Sequence, residues 1–158
     1  MDQLNLLSIT GIVQRIESVS EDCCQQIVTI RNQEGVTQMI VSPETYVIDM
    51  VRLRIGMRVT AFYDANAPAP LIMPPQYQAL IIGRSNANET VYVGFFDETL
   101  LAEDGSLQLN ISYSTEIVTS NGQNFTCSVG DNILIIYYGM TTRSNPPQTT
   151  PRKIIVMC

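Results

Sequence analysis

The sequence predicts an all-β chain made of two tandem five-stranded Greek-key barrels of the OB type packed together, with a single β-sandwich of about ten strands as the alternative. Three observations carry this reading. Ile, Val, Thr and Tyr are frequent, apolar residues make up 45% of the chain and charged ones 15%, a balance that suits half-buried pleated surfaces. Apolar runs are short and end in Gly, Asn, Asp and Pro. The chain also repeats itself.

Residues 35–48, GVTQMIVSPETYVI, and 105–118, GSLQLNISYSTEIV, share Gly35/Gly105, Gln38/Gln108, Ser42/Ser112 and Thr45/Thr115 at a constant offset of seventy. The next block aligns IGMRVTAFY, 55–63, with VGDNILIIYY, 129–138, placing Gly56 over Gly130 and implying a four-residue insertion around Ser120–Gln123. Pro74-Pro75-Gln76 and Pro146-Pro147-Gln148 then each precede a closing apolar run. A self-similarity of this order and length marks a duplicated unit, and it sets the expected domains at 1–84 and 85–158.

In the first copy, strands are expected near 8–19, 25–32, 36–41, 58–63 and 77–83, with Asn32-Gln33-Glu34-Gly35 as a hairpin turn. In the second they are expected near 91–98, 100–102, 107–111, 133–138 and 153–157, with Glu103-Asp104-Gly105 as the matching turn. Val59, Ala61 and Tyr63 alternate with Arg58, Thr60 and Phe62, which predicts a strand with one buried face. Its counterpart Ile133–Tyr138 is apolar on both faces and must be covered twice, by its own unit and by the sister unit or another subunit. In block order, and in a Gly-x-x-Val/Ile segment followed by Tyr and a Pro-Pro-Gln loop, the chain resembles small uncharacterised bacterial tandem OB-like proteins. That resemblance implies a fold and no activity.

Fifteen acidic residues against eight arginines and the single Lys153 give a net charge of −6, which disfavours nucleic acid as a partner. No run of eighteen apolar residues and no basic stretch ahead of an apolar one predict a transmembrane helix or a secretory signal, so a cytoplasmic, membrane-free protein is expected. There is no histidine, which removes Ser-His-Asp and Cys-His arrangements and the commonest general base. No Gly-rich phosphate loop and no Cys-x-x-Cys pair occur, and the four cysteines are expected to be reduced and buried. Asp97, Glu98, Glu103 and Asp104 flank a short segment without the alternate spacing of a calcium loop. The sequence therefore predicts no catalytic residues, no metal site, no cofactor and no enzyme.

The strongest anomaly is the connection Asp64–Pro75, where Pro68, Pro70, Pro74 and Pro75 bracket Leu71, Ile72 and Met73. Loops are usually polar, and the counterpart Gly139–Pro147 is. The expected function is accordingly a non-catalytic interaction or assembly module, forming a homo-oligomer or holding a protein partner through Pro68, Pro70, Leu71, Ile72, Met73, Pro74, Pro75 and Tyr77. The competing structural role for the loop is a cap on its own barrel or packing on the sister copy. The alternative function is OB-type binding of a single-stranded nucleic acid or an oligosaccharide on a face bearing Arg58, Phe62 and Tyr63.

Overall fold

The computed structural model describes residues 5–158. The chain is all-β and separates into two compact units, the first ending at Asn86 and the second running from Ala87 to Cys158. In the first unit the strands are β1 (Leu6–Val19), β2 (Asp22–Asn32), β3 (Gly35–Val41), β4 (Tyr46–Val47), β5 (Arg58–Asp64), β6 (Gln76–Gln78) and β7 (Ile81–Arg84). They form one seven-stranded sheet in the order β4-β7-β5-β1-β2-β3-β6. In the second unit β8 (Thr90–Phe96), β10 (Glu116–Thr119), β11 (Asn132–Tyr138) and β13 (Lys153–Val156) form a four-stranded sheet in the order β10-β13-β11-β8. A separate parallel pair joins β9 (Gln108–Leu109) to β12 (Gln148–Thr149). None of these sheets, among the described residues, closes into a barrel.

The reason lies at the corners. The segment containing β3 and β4 runs parallel to the segment containing β6 and β7, with Gln38 opposite Gln76 and Tyr46 opposite Ile81. Between the two pairings the ladder breaks, and a threonine fills the gap. Thr45 Oγ1 accepts from the Ser42 amide at 3.0 Å and donates to the Ala79 carbonyl at 2.8 Å. The second unit repeats this in detail: Thr115 Oγ1 accepts from the Ser112 amide at 3.4 Å and donates to the Pro151 carbonyl at 2.7 Å. The Gln38 and Gln108 amides donate to the carbonyls of Pro75 and Pro147, and the Met73–Pro74 and Asn145–Pro146 peptide bonds are both cis. The residues that mark the duplication in sequence are those that build this corner.

The next block corrects the glycine alignment by one residue. The Leu80 amide donates to the Phe62 carbonyl and the Arg152 amide to the Tyr137 carbonyl, which makes Phe62 and Tyr137 equivalent. Gly56 then corresponds to Asp131, not Gly130, and both have positive φ, 90° and 59°. Aspartate tolerates that conformation better than most side chains, so the same turn is made without a glycine. β5 also departs from its predicted half-wet pattern. Thr60 and Phe62 are 3% and 4% exposed, so β5 is buried on both faces as β11 is, with Leu134, Ile135 and Ile136 fully buried. The Thr60 hydroxyl is tolerated because it bonds Thr10 Oγ1 at 2.9 Å.

Each unit has its own core. In the first, Val13, Val28, Ile30, Met39, Val59 and Ile82 meet; in the second, Phe96, Leu109, Leu134, Ile136, Ile154 and Val156 do. The copies differ most at the first hairpin. β1 and β2 extend as a long arm to the pair Val19–Asp22, whereas the second unit turns directly from Phe96 to Ala102. Residues 100–102, expected as a strand, make only isolated bridges, because the Asp97 carboxylate holds the turn by accepting from the Thr99 amide and hydroxyl and the Leu101 amide. The cysteines are not buried. All four are free and exposed, with Cys23 and Cys24 out on the hairpin arm, beyond the reach of the core.

Replacing Thr45 or Thr115 with valine keeps the shape and removes both bonds, leaving a carbonyl unpaired together with the amide of Ser42, which is buried, or of Ser112, which is exposed. Thr45→Val is expected to lose about 2–4 kcal/mol in chemical denaturation and Thr115→Val less, with serine restoring most of either loss. The Thr99 hydroxyl foremost, then the Leu101 amide, hold the Asp97 carboxyl below the usual carboxylate range. A depressed folded-state pKa gives stability that is present above about pH 4 and is lost as pH falls further. The thermal midpoint of the wild type should therefore fall more steeply on acidification than that of Asp97→Asn.

Candidate contact loop and polar cleft

The Asp64–Pro75 connection leaves β5 through a short turn in which Asp64 Oδ1 accepts from the Asn66 amide and the Ala67 amide donates to the Asp64 carbonyl. It returns where the Pro75 carbonyl meets β3 and where Tyr77 stacks on Tyr63, ring centroids 4.0 Å apart and planes 12° from parallel. Between these anchors Pro68 and Pro70 are exposed, Leu71 is 105% exposed, Ile72 45% and Met73 87%. Pro74, Pro75 and Tyr77 are half-buried and belong to the base of the loop. Leu71 and Met73 therefore do not cap the open end of the first unit. The counterpart loop is tied to itself: the Thr142 amide donates to the Gln148 carbonyl, Ser144 Oγ to the Pro146 carbonyl, and Thr149 Oγ1 to the Met140 carbonyl. No such bonds hold Pro68–Met73 among the described residues.

Arg58, Phe62 and Tyr63 do not share a face. Successive strand residues point to opposite sides, so Arg58 and Phe62 lie on one side of β5 and Tyr63 on the other, against Tyr77. Phe62 is also buried. Arg58 instead joins residues that sequence reasoning missed. Ile12 of β1 is paired with Arg58 of β5 on one side and with Arg31 of β2 on the other, which sets Arg58, Ile12 and Arg31 in one row across three strands. With Ser8, Thr10 and the Asn32–Glu34 turn they line an open cleft of about 500 Å³. Only strand pairing assembles this set, and nothing in the linear sequence joins positions 12, 31 and 58.

The cleft is held from behind. Gln14 is the extra residue of a β-bulge between the Val13–Ile30 and Arg15–Thr29 pairs, and its side chain accepts from Arg31 Nε at 3.2 Å. Asn32 Nδ2 donates to the Thr10 carbonyl, and its Oδ1 accepts from the Glu34 amide, so the turn is folded toward β1. Arg58 Nε is buried and has no partner. An unmatched buried donor costs about 1–3 kcal/mol. In the second unit the same row reads Ile133, Phe95 and Glu103, with neither arginine.

Tyr63 ionises above the usual tyrosine range, first because it is buried and then because Tyr77 lies against it. The Tyr63 ring is therefore neutral at neutral pH, and the stack works as an apolar clamp. Among the described residues, no group of three or more Cys, Asp or Glu side chains converges to hold a metal ion, and no helix is long and apolar enough to cross a membrane. No protein-family model matches the chain, and no curated protein is significantly similar to it.

Gly11 lies in the cleft floor, where a Cβ would collide with the Arg31 carbonyl. Gly11→Ala must push β1 away from β2. We expect a loss of about 1–3 kcal/mol, read by thermal or chemical denaturation.

Proposed function

We propose that this chain is a non-catalytic assembly module built from two open OB-like units, and that it associates with a second copy of itself through the Pro68–Met73 loop. One observation carries the reading: Leu71 and Met73 stand almost wholly in solvent in a loop whose two ends are pinned. Exposed apolar clusters of this kind mark contact surfaces on soluble proteins. The prolines restrict the backbone before contact, so little conformational entropy is lost on docking. Burying Leu71, Ile72 and Met73 would contribute roughly 1.5–3 kcal/mol for each side chain fully covered. Self-association is preferred to a foreign partner because most soluble oligomers are homomeric. The reading places the protein in a reducing compartment, the cytoplasm, where four exposed free thiols persist.

The test is Leu71→Ser, Ile72→Ser and Met73→Ser in one chain, with mass in solution measured by light scattering across a concentration series. The wild type is expected to associate, and the triple variant to be monomeric with the thermal midpoint that the wild type has when diluted to monomer, since these side chains belong to neither core and losing the association lowers the midpoint. A wild type that stays monomeric throughout, or an assembly the triple change leaves intact, would sink this reading.

A further inference from the structure

We infer that the cleft between Arg58 and Arg31 is a binding site for a small oxyanion, a phosphate or carboxylate group carried by a ligand of low mass. The two arginines flank Ile12 in one cross-strand row. Neighbouring strands lie about 5 Å apart, so the two stems stand on the order of 10 Å from each other, a span that two guanidinium arms can close around a single anionic group. A guanidinium presents several N–H donors in a planar fork that matches carboxylate and phosphate oxygens.

Two further features point to a ligand. Arg58 Nε is already withdrawn from solvent and lacks an acceptor, one of two such buried side-chain atoms among the described residues, with Ser85 Oγ. Arg31 is steadied by Gln14 through Nε alone, which leaves its terminal nitrogens directed at no carboxylate among the ion pairs of the described residues. Beneath them the cleft offers the Ser8 and Thr10 hydroxyls and an exposed Ile12, so a ligand with a short apolar or hydroxylated body fits behind its anionic end. Glu34 stands in the wall formed by the turn. It biases the anion toward Arg58 and repels a chain of phosphates.

The duplication supplies an internal comparison. The corner residues are retained in both copies, whereas this row is Arg, Ile, Arg in one and Ile, Phe, Glu in the other. The fold therefore does not require the arginines. Their presence on one copy is a property of the cleft.

The full chain should be titrated with inorganic phosphate and, separately, with acetate and citrate, in chloride buffer at constant ionic strength, by calorimetry and by thermal midpoint. Saturable binding of one anion per chain is expected. Arg58→Gln and Arg31→Gln should each weaken it by about tenfold or more, while the Leu71, Ile72 and Met73 triple change leaves it unaltered. Binding of phosphate alone, or of the carboxylates alone, supports the site and names the ligand's anionic group. Should Arg58→Gln not fold, Arg58→Lys, which keeps the charge and loses the fork, is expected to bind more weakly than the wild type. No saturable binding by any of the three anions overturns the inference, as does binding that the Arg58 and Arg31 variants leave unchanged.

Discussion

A buried threonine hydroxyl at each corner lets the chain change partners without leaving a main-chain group unpaired. A strand that stops pairing with one neighbour and begins with another must cross residues whose amides and carbonyls face no ladder. Thr45 and Thr115 resolve this by accepting from an amide three residues back and donating to a carbonyl across the gap. Leu80 and Arg152, the residues after those carbonyls, are thereby placed to donate their amides to the central strands, and β7 and β13 follow in register. The placement of the central strands, and with it each core, depends on that hydroxyl. Serine could make the bonds. The extra methyl of threonine fills apolar space at a buried site.

This explains why the duplication was legible before the fold was. Gln38/Gln108, Ser42/Ser112, Thr45/Thr115 and the Pro-Pro-Gln motifs recur because their backbone bonds require those side chains or that chain path. The two-residue strands β4 and β12 are illegible for the converse reason, since a strand of two residues has no period, whereas β9 falls inside the strand expected at 107–111. The one-residue error at Gly56 came from treating glycine as the sole residue able to make a positive-φ turn, when Asp131 makes the same turn in the sister copy. Cys23 and Cys24, expected to be buried, are exposed because the long β1–β2 arm carries them away from the core, and a sequence does not distinguish such an arm from an ordinary hairpin.

Of the functional features, only the one contained in a continuous segment could be read from sequence. Four prolines around Leu71, Ile72 and Met73 announce themselves in a row. The cleft needs three strands to be in register, including a bulge at Gln14 that re-aims a side chain. A sequence displays Arg58 beside Phe62 and Tyr63, but the pleat sends Tyr63 to the opposite face. What Arg58 meets is set by β1.

An acidic protein with an arginine cleft is no contradiction, because the two act over different ranges. At physiological ionic strength the screening length is about 8 Å, so an approaching polyanion experiences the net charge of −6 over many of its phosphates at once. A single small anion inside the cleft experiences chiefly the two guanidinium groups that flank it. On the proposed reading, overall acidity disfavours long nucleic acids while the local geometry suits a single oxyanion. Charge balance read over the whole chain and charge read along one cross-strand row answer separate questions, and only the second bears on what the cleft can hold.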